Sequence, residues 1–149
     1  MVWRRDRRVF RARNPLSTKM PDSSSPPEVI ALVPDLFFAS KIIETARHVG
    51  VKVRLAQSPT QLFATQASPA MIIVDLHAAG FDPVEFVRDA KSRPEFTCVP
   101  IIAFVRHTRP DLIAAAEAAG CEEVLARSAF TENLGEILRR AVTPSGVGG

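Results

Sequence analysis

The sequence predicts an α/β fold, a parallel sheet with helices on both faces, and two observations predict it. Between residues 29 and 142, short apolar runs alternate five times with segments of helical periodicity. Alternation on that scale joins parallel strands by right-handed crossovers. Three of the runs, 29–33, 71–76 and 99–105, are apolar almost throughout rather than at every second residue. Such runs belong to strands covered on both faces, so these three are expected at the centre of the sheet. With 149 residues, 46% hydrophobic and 23% charged, the chain has room for one domain with a full core.

Each element has its own justification. VIALV (29–33) is stopped by Pro34, and residues 36–49 place Ile42, Ile43, Ala46 and Val49 at helical spacing before Gly50. VKVRLA (51–56) alternates as a half-buried edge strand does. Ser58 and Pro59 open a short helix that turns Leu62 and Phe63 inward. MIIVDL (71–76) is the second apolar strand. Asp82-Pro83 starts a helix reaching Ser92, with Val84, Phe86 and Val87 as its buried stripe. VPIIAFV (99–105) is the third apolar strand. An Ala-rich helix covers 110–119 and stops at Gly120; EEVLA (122–126) is a short strand. The last helix is expected over 131–142, capped by Thr131.

The net charge of +3 conceals a division. Residues 1–20 carry seven basic side chains against Asp6 alone, and the remainder carries 12 basic and 15 acidic, so the folded part is mildly acidic. Clustered arginines suit a nucleic-acid or anionic-membrane arm, or an organelle presequence. No apolar stretch makes a secretory signal. The expectation is that residues 1–28 are a disordered basic tail and Pro/Ser linker, with Met20 as the true start, and that 143–149 are disordered as well. Nucleic acid is then not an expected partner of the domain at 29–142, nor is a membrane, because no run approaches the roughly 20 apolar residues a spanning helix needs. Cys98 and Cys121 have no metal-ligand spacing and are read as reduced thiols of a cytoplasmic protein.

In open parallel sheets, ligands gather outside the carboxyl ends of the strands. Asp35, Asp75, Val105 and Arg127 fall at or just beyond those ends. Asp75 is the most conspicuous, a carboxylate closing an apolar strand where the chain leaves the core, and solvent is expected to reach it. His77 and His107 belong to the same edge as loop histidines. No nucleophile–base–oxyanion set, no G-x-G-x-x-G after the first strand and no P-loop is present, so the chain is not expected to be an enzyme.

Five strand–helix units with an Asp ending the third strand, and the stretch AAAEAAGCEEVLARSAF, resemble the receiver domain of bacterial response regulators, the CheY-like fold. The resemblance spans nearly all of 29–142. It implies a flavodoxin-like, doubly wound, three-layer α/β/α architecture with strand order 2-1-3-4-5. It also implies a role in two-component phosphorelay signalling, in which Asp75 accepts a phosphoryl group from a histidine kinase or phosphotransfer protein. Mg²⁺ would offset the phosphoryl charge, held weakly by Asp35, Asp75 and the backbone carbonyl of His77. The family usually has an acidic pair after its first strand; here Pro34-Asp35 keeps one carboxylate. The family's Lys after the last strand corresponds to Arg127, expected to pair with Asp75, and Ser128 stands where a Pro follows. Its responsive hydroxyl and aromatic correspond to Val105 and Val124, which have neither group. The expectation is a degenerate, stand-alone receiver that works by protein–protein contact, with weak or no phosphorylation.

Other readings stand beside this one. DLHAAG (75–80) also resembles the D-x-H-x-x-G cobalamin signature, and Asp75, His77 and His107 together form a conceivable metal or small-ligand site. An adaptor that retains only the fold is a third. The face formed by the helices at 110–119 and 131–142 offers Ala114, Ala115 and Ala118 beside Glu132, Glu136, Arg139 and Arg140, a surface for a partner or a homodimer. Alternatively, those alanines pack on the sheet.

Overall fold

The computed structural model describes residues 27–64, 68–107 and 109–142. Expectations for the basic tail, the Met20 start and the segment 143–149 lie outside these residues. The elements are β1 (Glu28–Leu32), α1 (Leu36–Val49), β2 (Lys52–Leu55), α2 (Pro59–Phe63), β3 (Met71–Asp75), α3 (Pro83–Ser92), β4 (Ile101–Val105), α4 (Pro110–Ala119), β5 (Glu123–Ala126), α5 (Arg127–Glu132) and α6 (Leu134–Val142). The five strands form one parallel sheet ordered β2-β1-β3-β4-β5. The three apolar runs are its central strands, as their lack of polar alternation requires.

Side chains alternate across the sheet and divide the core in two. One layer, with Ile30, Ile72, Val74, Ile101 and Val105, packs against α2, α3 and α4 through Leu62, Phe86, Val87 and Ala116. The other, with Val29, Ile73, Ile102 and Phe104, packs against α1, α5 and α6 through Phe38, Ile42, Phe130, Ile137 and Leu138. The register pairs Ile72 with Ile101 and Asp75 with Phe104, so Asp75 closes β3 on the second layer's side. Beneath it Phe38, Phe104 and Phe130 form an aromatic triad with ring centroids 4.8 to 6.0 Å apart. Tilted contacts of this kind add about 0.5–1.5 kcal/mol to area burial and give the carboxyl edge a rigid floor.

Local chemistry starts and stops the helices, as expected at Ser58, Asp82 and Gly50, and also at Asp35, which was expected only as a site residue. Asp35 caps α1 by accepting from Phe37 and Phe38 N–H, Ser58 accepts from Gln61 N–H, and Asp82 accepts from Val84 and Glu85 N–H. Gly50 ends α1 with φ of 78°, a left-handed geometry that favours glycine.

Three expectations are corrected. The last helix is two: α5 begins at Arg127, immediately after β5, and the chain breaks at Asn133 before α6. Thr131 therefore lies inside α5, where its hydroxyl donates to the Arg127 carbonyl at 2.8 Å instead of capping. The sheet-facing alanines of α4 are Ala116 and Ala119, while Ala114 and Ala118 are exposed and Ala115 is half-buried. The surface reading of Ala114 and Ala118 is thus the one the fold keeps. Finally, Val84 only lines the core edge, and Ala90 completes the buried stripe of α3. Both cysteines are free, Cys98 exposed and Cys121 buried, with burial pushing the Cys121 thiol up to about 12. Among the described residues, no helix is long and apolar enough to cross a membrane.

Candidate functional site

The carboxyl edge of the sheet gathers Asp35, Asp75, Arg106, His77, His107 and Arg127, but not in the pairs the sequence leads one to expect. Asp35 follows β1 and faces half to solvent. One oxygen, Oδ1, takes the N–H groups of Phe37 and Phe38 at 3.0 and 3.2 Å, and Oδ2 takes Nη2 of Arg127 at 3.4 Å. The Phe38 N–H, then Arg127 and the Phe37 N–H, hold this carboxyl below its ordinary value against the opposing effect of desolvation. Arg127 is itself seated, its guanidinium carbon 4.1 Å from the centre of the Phe38 ring.

Asp75 stands at the end of β3 with its side chain 1% exposed. The expectation that solvent reaches it is therefore wrong: among the described residues it is the one buried charged side chain. Its Oδ1 accepts from His77 N–H at 2.8 Å, and its Oδ2 accepts from Nη2 of Arg106 at 3.2 Å. Arg106 is 41% exposed and forms the outer half of this pair. The expected Arg127–Asp75 pair is replaced by two others, Arg127 with Asp35 and Arg106 with Asp75. The physical reason is chain direction. Arg127 begins a helix beside α1, whereas Arg106 leaves β4, the strand hydrogen-bonded to β3.

Arg106 is the site residue that sequence reasoning missed. It is the first residue past the apolar run 99–105, as Arg127 is past 122–126, and so one residue nearer its strand than Asp35 is to 29–33. The neighbour relation of β3 and β4 is what turns that position into a contact.

His77 is only half-exposed, and its Nε2 is buried without a hydrogen-bond partner among the described residues. Its ring meets that of His107 edge-on, with centroids 5.9 Å apart. His107 is exposed, as expected of a loop histidine. Val105 is 1% exposed and Val124 packs against the same apolar layer, so hydrocarbon fills both positions where the resemblance places responsive groups.

Whether a divalent cation suits these residues is decided by the donors. All four carboxylate oxygens of Asp35 and Asp75 have protein donors already. Two guanidiniums balance the two carboxylates. Among the described residues, no group of three or more His, Cys, Asp or Glu is arranged to hold a metal ion. In this arrangement the residues do not fit the cation expected at Asp35, Asp75 and His77.

No protein-family model matches the chain, and no curated protein matches it. Solved structures do. The chemotaxis response regulator CheY4 of Vibrio cholerae has a TM-score of 0.68 at 21% identity, covering 78% of this chain and 98% of its own. A putative response regulator from Chloroflexus aurantiacus has 0.69 at 20% identity, covering 80% and 99%. The phosphorylated cyanobacterial phytochrome response regulator RcpA has 0.66 at 17% identity, covering 76% and 89%. At these identities the likeness is one of architecture, and it agrees with the observed strand order. The chain has the CheY-like fold of response regulator receiver domains.

Proposed function

We propose that this protein is a receiver-like module of a two-component phosphorelay system that acts by protein–protein contact and not by catalysis. Its partner on this reading is a histidine kinase or a phosphotransfer protein, and phosphorylation of Asp75 is weak or absent. The observation that carries the reading is the closure of Asp75, 1% exposed beneath Arg106. A carboxylate oxygen that is to attack a phosphorus atom needs an open approach and a cation opposite, and here the approach is occupied.

The switch positions support the same view. A modification shifts a two-state element only through contacts that differ between its states. Val105 and Val124 offer neither a hydroxyl nor a rotating ring for such contacts. The rim also presents Leu36 and Phe37, 62% and 83% exposed, at the start of α1. Adjacent apolar side chains beside a polar rim suit recognition by another protein.

The test is an amide NMR titration with beryllofluoride and Mg²⁺ on the wild type and on Asp75→Ala. The expected result is no shift, or shifts confined to residues 34–36, 75–80 and 127. Shifts that spread into α4 and α6 and vanish in Asp75→Ala would overturn the disabled switch. A small-ligand site at Asp75, His77 and His107 has one observation in its favour, the unpartnered Nε2 of His77 against His107. A corrinoid band in the purified protein, or histidine shifts on adding Zn²⁺, would favour that reading over signalling.

A further inference from the structure

A receiver-type rim is expected to hold a divalent cation between its carboxylates, and this rim is arranged otherwise. Mg²⁺ is bound by carboxylate oxygens in a near-octahedral shell and favours sites with surplus negative charge. Here two carboxylates face two guanidiniums, and no surplus remains.

The two arginines are not equivalent. Arg127 meets Asp35 at 3.4 Å where both side chains are about one-third exposed, so water can replace either partner. Arg106 meets a carboxylate that water does not reach. Among the described residues, only Arg106 and the His77 N–H answer the charge of Asp75. An unpaired charge in such a place is strongly disfavoured, so the guanidinium is held there by necessity.

We infer that Arg106 is a built-in counter-ion: it neutralises Asp75, roofs it over, and thereby excludes a divalent cation from the rim. The inference rests on reading the rim as a receiver-type site. A plain structural latch would share the stability effect of the pair. It would not make metal affinity depend on the charge at residue 106, and that dependence is the distinguishing property.

Mn²⁺ serves as the probe, read by paramagnetic broadening of the amides at 75–77 in the full chain. Arg106→Gln, which keeps an N–H donor without the charge, is expected to bind Mn²⁺ at least about tenfold more tightly than the wild type. Arg106→Lys is expected to behave as the wild type does. Adding Asp75→Asn to Arg106→Gln is expected to abolish the gain, which locates it on Asp75. Equal affinity of Arg106→Gln and wild type, whether both bind or neither does, overturns the inference, as does a gain that survives Asp75→Asn.

Should Arg106→Gln fail to fold without metal, its recovery in millimolar Mn²⁺ supports the counter-ion and its failure to recover overturns it. No phosphodonor or partner enters the titration. A wild type whose α4 and α6 respond through Asp75 to beryllofluoride and Mg²⁺ would sink both readings, because that response needs a cation at Asp75. An unchanged Mn²⁺ affinity without such a response would sink the counter-ion alone and leave the proposed function standing.

Discussion

Asp35 and Asp75 leave neighbouring strands at the same edge of the sheet, and each meets one arginine, yet the two corners work differently. The Asp35 corner is wet. Its carboxylate is first of all a helix cap, and Arg127 adds a long, partly solvated contact. The Asp75 corner is dry, and among the described residues its arginine is the sole side chain answering a buried charge. Burial, more than residue type or distance, therefore decides what each pair contributes. The wet pair resembles surface ion pairs of small net effect, whereas the dry pair cannot be broken from one side without stranding a charge.

The largest expected effect follows from that contrast. Arg106→Met should destabilise the fold by about 2–4 kcal/mol, somewhat below the full figure for a buried pair because Arg106 is itself part exposed. Urea unfolding measures this, and pairing the change with Asp75→Asn should return part of the loss. A loss under about 1 kcal/mol would erase the distinction between the corners.

A smaller effect separates them by pH. The folded Asp35 carboxyl titrates below its ordinary 3.8, mainly because it accepts the Phe38 N–H. The stability it supplies is therefore fully present above the unfolded value and is lost as pH falls through the folded one. Asn also caps helices, so Asp35→Asn should keep α1 while removing this dependence. The stability gap between wild type and Asp35→Asn should narrow steadily below about pH 5, followed by thermal melts. A constant gap would mean that the Asp35 charge does not contribute.

The smallest effect is that of Arg127→Gln. It should cost about 0.5–1 kcal/mol, chiefly through the guanidinium's seat on Phe38. A urea midpoint displaced as far as in Arg106→Met would show that the wet corner had been misjudged.

Much of the fold was legible in the chain. The helices at 36–49, 83–92 and 110–119 have the limits their spacing and capping residues indicate, because Asp35, Gly50, Asp82, Pro83 and Gly120 act within a few residues of themselves. The helix expected at 131–142 differs because Thr131 has the chemistry of a cap, and only the direct passage of β5 into α5 at Arg127 makes it an interior residue. In the site, Asp35, Asp75 and Arg127 were visible as charges following apolar runs. Their partners were not visible, since pairing depends on which strands and helices stand side by side.

By itself the sequence determined the alternation, the three central strands and the charges at their carboxyl ends, for these follow from short-range periodicity and from which runs can lie wholly in a core. Only the tertiary structure decided that Asp75 is closed off and that Arg106 closes it. Those facts arise where β3 and β4, separated by a whole crossover helix, are brought into hydrogen-bonded contact, and no local spacing encodes that distance.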